Sequence, residues 1–194
     1  MSTSSHFKLE IMNNCFTCSL IAFLCGLLLS SGSALAADTA QTALEGLSAG
    51  NSTKFSYFGF HVYDAKLFAD KASFSTKSPL AARLALQITY TRALQGHKIA
   101  ERSEAEMQVL EQGSAEERSE WLAAMRKIFP NVKPGDVLLG AFTPGKPTFF
   151  YMNGKPIGQV EDGKFGAAFF NIWLSEKTSQ PKLRSGLLKG LDGR

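Results

Sequence analysis

Cysteine is scarce in this chain and absent from most of it. All three cysteines, Cys15, Cys18 and Cys25, lie within the first 25 residues. If that segment is removed on maturation, the remaining chain holds no disulfide, thiol nucleophile or cysteine metal ligand. Histidine is nearly as rare, and only His61 and His97 lie beyond residue 36. Because no cluster of carboxylates marks out further ligands, we predict no metal site and no cofactor.

The chain also has few of the patterns that identify catalytic or nucleic-acid-binding proteins. It contains no glycine-rich phosphate loop and no H-E-x-x-H zinc motif. Its 21 basic and 17 acidic residues leave a net charge of only +4, and they are interspersed along the chain without a basic block. This balance keeps a protein soluble but lacks the basic footprint of a nucleic-acid-binding domain, so we predict no nucleic-acid partner.

The N-terminal segment has the layout of a secretory signal peptide. Lys8 is followed by an apolar run, Cys15 to Leu29, and by the A-x-A pattern at Ala34 to Ala36. The run is about 15 residues long, shorter than the roughly 20 residues of a bilayer-spanning helix. We therefore predict a signal peptide over residues 1–36, cleaved near Ala36, and a periplasmic or secreted protein without a stable membrane span. The alternative is an uncleaved N-terminal anchor.

The rest of the chain, residues 37–194, is predicted to form a single domain rich in phenylalanine. Alternation in Arg83–Arg92 predicts a strand whose inward residues are Leu84, Leu86, Ile88 and Tyr90. Lys54–Phe68 is dense in aromatic residues and predicts one long strand. Three further strands are predicted over residues 136–142, 148–152 and about 157–160. The Asn153-Gly154 pair predicts a hairpin turn between the last two.

Helices are predicted in two pairs. The first pair covers roughly 94–110 and a segment that begins with a capping box at Ser114 and Glu117 and ends near Phe129. The second pair covers about 165–174 and 181–188. Strands and helices alternate in blocks joined by hairpin-type links, so we expect an α+β fold, in which helices pack on an antiparallel sheet.

Polar aromatic residues and one arginine form the candidate site. If residues 54–68 are one strand, Tyr57, His61 and Tyr63 share a face, while Tyr90 and Arg92 lie at the end of another strand. An arginine fork suits a carboxylate, and phenols add neutral hydrogen bonds beside an apolar cavity. The alternative is that the tyrosines border the core and Arg92 is a solvated strand end. His61 is a weak candidate for a proton-transfer residue, and the alternative is a packed, hydrogen-bonded histidine.

Several strings, in this order, resemble the bacterial secreted branch of the chalcone isomerase-like family. They are GFHVYDAKLF from Gly59, YTRALQGHKIA from Tyr90, EWLAAM from Glu120, FPNVKPGD from Phe129, NGKPIG from Asn153 and AFFNIWL from Ala168. The resemblance covers about residues 44–190. It implies an open-faced β-sandwich, in which a large antiparallel sheet faces a layer of helices across a cleft.

The resemblance also implies what the site does. True members of the family close a flavonoid ring with the help of an arginine and hydrogen-bonding side chains, whereas related non-catalytic members resemble fatty-acid-binding proteins. The threonine of the enzymes aligns with Phe58 here, and their arginine falls near Ser52 and Lys54. Because phenylalanine cannot donate a hydrogen bond to a ketone, ring closure is not expected.

The sequence therefore predicts a non-catalytic binder of a small hydrophobic ligand, such as a fatty acid, whose head is a carboxylate. The candidate ligand-binding residues are Arg92, Tyr90, Tyr63, Tyr57 and Lys54. Two alternatives remain open. One is an isomerase of the intramolecular lyase type that acts on an unsaturated ketone, and the other is a structural or interaction protein without a ligand.

Overall fold

Six strands form one antiparallel sheet in which the spatial order follows the sequence. The computed structural model describes residues 39–191. The strands are β1 (Ser48–Tyr57), β2 (Phe60–Ala69), β3 (Leu84–Tyr90), β4 (Val137–Phe142), β5 (Thr148–Met152) and β6 (Lys155–Val160). Because β1 and β6 remain at opposite edges, the sheet is open rather than closed into a barrel.

Helices cover the sheet unequally on its two faces. They are α1 (Ala40–Leu44), α2 (Gly96–Val109), α3 (Ala115–Ile128), α4 (Phe165–Leu174) and α5 (Pro181–Leu188). The main hydrophobic core contains buried residues of α2 to α5 and the inward residues of β3. A smaller cluster of Ala85, Leu139 and Tyr151 packs beneath α1 on the other face. This arrangement confirms the predicted α+β class, with a helical layer on an open antiparallel sheet.

The prediction of one long strand from Lys54 to Phe68 is wrong. The segment is a hairpin in which β1 ends at Tyr57 and β2 begins at Phe60. Phe58 and Gly59 form the turn with φ values of 47° and 78°, as two-residue hairpin turns require. Only Gly59 is a usual turn residue, and aromatic residues continue on both sides of it. The turn is therefore hidden in a pattern that otherwise indicates a continuous strand.

The remaining local signals are confirmed. Leu84, Leu86, Ile88 and Tyr90 are buried in the main core, as the alternation in β3 predicts. Ser114 accepts from the backbone of Glu117, whose side chain accepts from the backbone of Ser114 in return. Asn153 and Gly154, with φ values of 50° and 84°, form the turn between β5 and β6.

The predicted signal peptide over residues 1–36, with its cleavage near Ala36 and its three cysteines, lies outside the described residues. Within residues 39–191, no helix is both long and apolar enough to cross a membrane.

Candidate functional site

A cavity of about 340 Å³ lies between the sheet and helices α2 and α4. Its wall is mostly apolar, with polar side chains from α2 and from the segment before α5. The lining residues include Phe55, Tyr57, Val62, Tyr63, Tyr90, Lys98, Ile99, Arg102, Ser103, Glu106, Phe169, Ile172, Trp173 and Ser179. A cleft of this size that carries few polar groups is typical of a site for a small molecule.

A β-bulge shapes the sheet side of this cavity. Phe55 pairs with Tyr63 and Ser56 pairs with His61, so Val62 has no partner of its own on β1. An unpaired residue of this kind breaks the alternation of the strand. Val62 and Tyr63 consequently both line the cavity, although they are adjacent in sequence.

The sandwich is filled at one end and hollow at the other. We call the filled end the phenylalanine end, because phenylalanine rings meet there, among them Phe142, Phe150, Phe165, Phe169 and Phe170. Their neighbouring ring centroids are 5.2 to 6.1 Å apart. The hollow end, which we call the tyrosine end, is bordered by Tyr57, Tyr63 and Tyr90. Phe169 also lines the cavity and separates the two ends.

A polar cluster on α2 forms part of the wall at the tyrosine end. Glu106 is only 7% exposed and accepts hydrogen bonds from the Arg102 guanidinium, one turn earlier, and from the Ser179 hydroxyl at 3.0 Å. Both carboxylate oxygens are thus engaged, as a buried charge requires. The Arg102 side chain is 61% exposed, so it reaches from the buried carboxylate toward solvent at the mouth of the cavity.

Two phenols lie deeper in the same cavity. The Tyr63 hydroxyl accepts a hydrogen bond from Trp173 Nε1 at 3.1 Å, and its ring packs edge-on against Tyr90 at 6.2 Å. Burial raises the pKa of Tyr63 to about 12 and is opposed in part by the Trp173 hydrogen bond. Burial also raises the pKa of Tyr90, with a further contribution from Tyr63. Both phenols therefore keep their protons at neutral pH and can donate to a ligand.

The structure brings three of the predicted site residues together and separates the other three from them. Tyr57, Tyr63 and Tyr90 all line the cavity. His61 does not, because the bulge at Val62 shifts its register on β2. Its Nε2 instead lies 3.1 Å from Asp64 Oδ1.

The two predicted cationic anchors also lie outside the cavity lining. Lys54 is exposed and precedes Phe55, which lines the cavity, so strand alternation directs Lys54 to the opposite face. Arg92 follows the end of β3 and is exposed, with its guanidinium carbon 4.6 Å from the centroid of the Phe60 ring. The arginine that lines the cavity is Arg102 on α2.

Sequence reasoning missed the contribution of α2. Lys98, Arg102 and Glu106 recur every four residues and so share a face of the helix, which the structure turns toward the cavity. Ser103 lies beside them and donates to the Ile99 carbonyl at 2.9 Å. The regular spacing was the available signal. The same spacing is ordinary on a helix face exposed to solvent, and only the tertiary packing distinguishes such a face from one that lines a cavity.

One string fits the serine hydrolase pattern G-x-S-x-G, namely Gly46-Leu47-Ser48-Ala49-Gly50. A nucleophile elbow needs its serine on a sharp turn between a strand and a helix. Ser48 instead begins the edge strand β1 and pairs with Ala69, at the far end of the hairpin from His61. The string is therefore not a nucleophile elbow. Among residues 39–191, no three histidine, cysteine or acidic side chains are grouped so that they could hold a metal ion.

Comparison with known proteins identifies relatives of this chain. The family model described as chalcone isomerase-like matches residues 37–189. An uncharacterized protein of Haemophilus influenzae is 28% identical over 137 residues, which cover 71% of this chain and 65% of that protein, slightly less than two thirds of its length.

Among solved structures, the fold is similar to that of a fatty-acid binding protein of Arabidopsis thaliana. The two superpose with a TM-score of 0.60 at 12% identity, over 76% of this chain and 89% of the other. At that identity the likeness shows the fold alone.

Proposed function

Because the chain belongs to the chalcone isomerase-like family, we propose that it binds a small hydrophobic ligand, such as a fatty acid, without transforming it. The observation that carries the proposal is the cavity of about 340 Å³ at the tyrosine end, beside a phenylalanine end that is packed. A structural protein would gain stability by filling this space, since interiors normally pack without large voids. The fatty-acid binding protein with the same fold supports the choice of ligand class.

The polar groups of the cavity support a ligand whose head lies at the mouth. Arg102 and Lys98 are 61% and 64% exposed there, and both are next to solvent as well as to the cavity. Arginine presents a planar fork that suits a carboxylate. The rest of the ligand would lie against the apolar wall and the phenols of Tyr63 and Tyr90. We therefore propose Arg102 as the cation that contacts the ligand head.

Glu106 tunes this interaction in our proposal. Its carboxylate already accepts a hydrogen bond from the Arg102 guanidinium, so the carboxylate of a ligand competes with Glu106 for Arg102. Replacing Glu106 by glutamine would free the guanidinium and strengthen carboxylate binding by about fivefold, which corresponds to roughly 1 kcal/mol.

Export through the predicted signal peptide belongs to the same proposal. A purified protein whose mass shows removal of residues 1–36 would support it.

Native mass spectrometry of the gently purified protein tests the binding proposal. We expect a bound mass that matches a fatty acid in the wild type and its loss in Ile99→Trp, because Ile99 lines the cavity on α2 and the larger ring would fill it. Val109→Trp is the matched control on the same helix, since Val109 is 72% exposed at the far end of α2. A wild type that stays free of ligand when fatty acids are added would contradict the proposal, as would turnover of an unsaturated ketone.

Titration with a fatty acid and with the corresponding fatty alcohol tests the role of Arg102. Arg102→Gln should weaken binding of the acid by about tenfold and leave the alcohol unchanged, because only the acid carries a charge. Arg126→Gln is the control, since Arg126 on α3 is 50% exposed and forms a comparable ion pair with Glu101 on α2 but does not line the cavity. Equal losses for acid and alcohol would show that Arg102 supports the structure rather than the ligand head.

A further inference from the structure

The β1–β2 hairpin ends in a cluster of exposed aromatic side chains. Tyr57, Phe58 and Phe60 are 51%, 84% and 57% exposed, and they are three of the four large hydrophobic residues exposed in residues 39–191. The Tyr57 and Phe58 ring centroids are 4.5 Å apart, and a Cβ atom added at Gly59 would meet nothing within 4 Å. We call Tyr57–Phe60 the aromatic tip. A contiguous exposed apolar patch of this kind marks an interaction surface.

Folding does not account for the composition of this tip. The first turn position of such a hairpin favours asparagine, aspartate or glycine, because its φ is positive. Phe58 occupies it with φ 47° and is the most exposed of the large hydrophobic residues. The residue therefore gains neither burial nor a preferred backbone conformation, which points to a contact outside the chain.

A cation accompanies the aromatic tip. The Arg92 guanidinium lies over the Phe60 ring at 4.6 Å, and within residues 39–191 it forms no ion pair. Aromatic rings beside unpaired basic side chains are typical of segments that rest at a membrane interface, where rings lie at the level of the head groups and cations meet anionic lipids. The net charge of +4 acts in the same direction.

The aromatic tip is also continuous with the cavity. Tyr57 is half exposed at the tip and lines the cavity as well. Val62, three residues after Gly59, lines it too. A surface that touched the tip would therefore border the cavity mouth, so an apolar ligand could move between them without crossing water.

We infer that the aromatic tip, together with Arg92, docks on the surface of a phospholipid membrane that carries anionic head groups. Phe58 and Phe60 enter the interface, and Arg92 contacts the lipid phosphates. The docking itself rests on the exposed residues alone, and only the exchange of ligand with the membrane rests on the proposed function.

Flotation with vesicles tests the inference. The protein is produced from the full coding sequence, and wild type and variants are compared only at the same processed mass, so that any N-terminal contribution is equal. We expect binding to vesicles of phosphatidylcholine and phosphatidylglycerol, and weaker binding to phosphatidylcholine alone. The double variant Phe58→Ser, Phe60→Ser should lose about tenfold or more in partitioning, and Arg92→Gln should lose about fivefold on the anionic vesicles only.

Two matched controls and a ligand measurement separate the possible outcomes. Val109→Ser removes an apolar residue whose exposure, 72%, lies between those of Phe58 and Phe60, and Lys146→Gln removes a cation from the β4–β5 turn at the opposite end of the sheet. Both should bind vesicles as the wild type does. Retained binding in the double variant, equal losses in the controls, or no binding by the wild type would overturn the inference.

The same variants keep this inference distinct from the proposed function. The double variant should retain a bound fatty acid in native mass spectra, because its substitutions lie outside the cavity lining. Vesicle binding by a wild type that never carries a ligand would contradict the proposed function and leave the docking inference standing. Ligand binding without vesicle binding would contradict the docking inference and leave the proposed function standing.

Discussion

The phenylalanine end and the tyrosine end are built from the same sheet and the same helix α4, yet one is packed and the other is hollow. Phe165 and Phe170 are fully buried among rings, whereas Ile172 and Trp173, on the next turn of α4, border the cavity of about 340 Å³. The hollow is therefore not a shortage of apolar residues. The cavity lies beside the polar side chains of Arg102, Glu106 and Ser179. Polar groups grouped at an apolar cavity are typical of a ligand site rather than of an imperfectly packed core.

The largest effect that should distinguish the two ends comes from removing a ring at the packed end. Phe165 is 0% exposed and stacks on Phe169 at 5.4 Å, so Phe165→Ala should reduce the free energy of unfolding by about 3–5 kcal/mol. Ile99→Ala at the tyrosine end should cost only about 1–2 kcal/mol, because one side of Ile99 already faces the cavity. Urea unfolding measures both, and equal losses would contradict the distinction.

Alkaline pH should destabilise the protein through the tyrosine end. The pKa of Tyr63 is raised from 10.0 to about 12, so between these values the folded state holds a proton that the unfolded state has lost. The contribution of the Tyr63 phenol to the free energy of unfolding is therefore fully present below pH 10. It falls by about 2–3 kcal/mol as the pH rises to about 12.

The comparison that tests this effect is Tyr63→Phe, which should flatten the dependence of unfolding free energy on pH over that range. Burial also raises the pKa of Tyr90, which acts in the same direction, so part of the slope should remain. An unchanged slope in Tyr63→Phe would show that this phenol is not the group responsible.

Added volume should lower the free energy of unfolding at the phenylalanine end and leave it nearly unchanged at the tyrosine end. A side chain at Gly166 would place its Cβ 2.4 Å from Phe142 Cδ2 and 2.5 Å from Thr148 Oγ1, both fully enclosed. In Gly166→Ala the overcrowding should therefore lower the free energy of unfolding by about 1–3 kcal/mol. The higher helix propensity of alanine should offset roughly 1 kcal/mol of that loss.

Ile99→Phe provides the counterpart at the hollow end. Its additional atoms enter the cavity, so the free energy of unfolding should change by less than about 1 kcal/mol while ligand binding is lost. Thermal unfolding and native mass spectrometry measure the two results. A strongly destabilised Ile99→Phe would show that the cavity cannot accept a ring.

Sequence reasoning predicted the fold well because its signals were local. The alternation of β3, the capping box at Ser114 and the Asn153-Gly154 turn each act through neighbours in the chain. The Phe58-Gly59 turn was missed because its first residue is one that such turns disfavour. Phe58 occupies the turn against this local preference, and the membrane contact inferred for the aromatic tip offers a reason.

The candidate site was predictable only in part, since it depends on two features without a local signature. The bulge at Val62 decides that Tyr63 faces the cavity and that His61 does not. The docking of α2 decides that Arg102, rather than Arg92, is the arginine in the cavity lining. Periodicity identifies the faces of a strand or helix, but it does not identify which face of a polar helix packs inward.

The smallest predicted effect separates the two phenols of the cavity. Tyr63→Phe removes the acceptor of Trp173 Nε1 and should cost about 1 kcal/mol, because the buried indole N–H loses its partner. Tyr90→Phe should be nearly neutral, since no hydrogen bond holds the Tyr90 hydroxyl within residues 39–191. If Tyr90 instead donates to a ligand, its substitution should weaken binding without lowering the stability of the free protein. Calorimetric unfolding with and without a fatty acid distinguishes the two roles, and a loss of stability in ligand-free Tyr90→Phe would assign that hydroxyl to the fold.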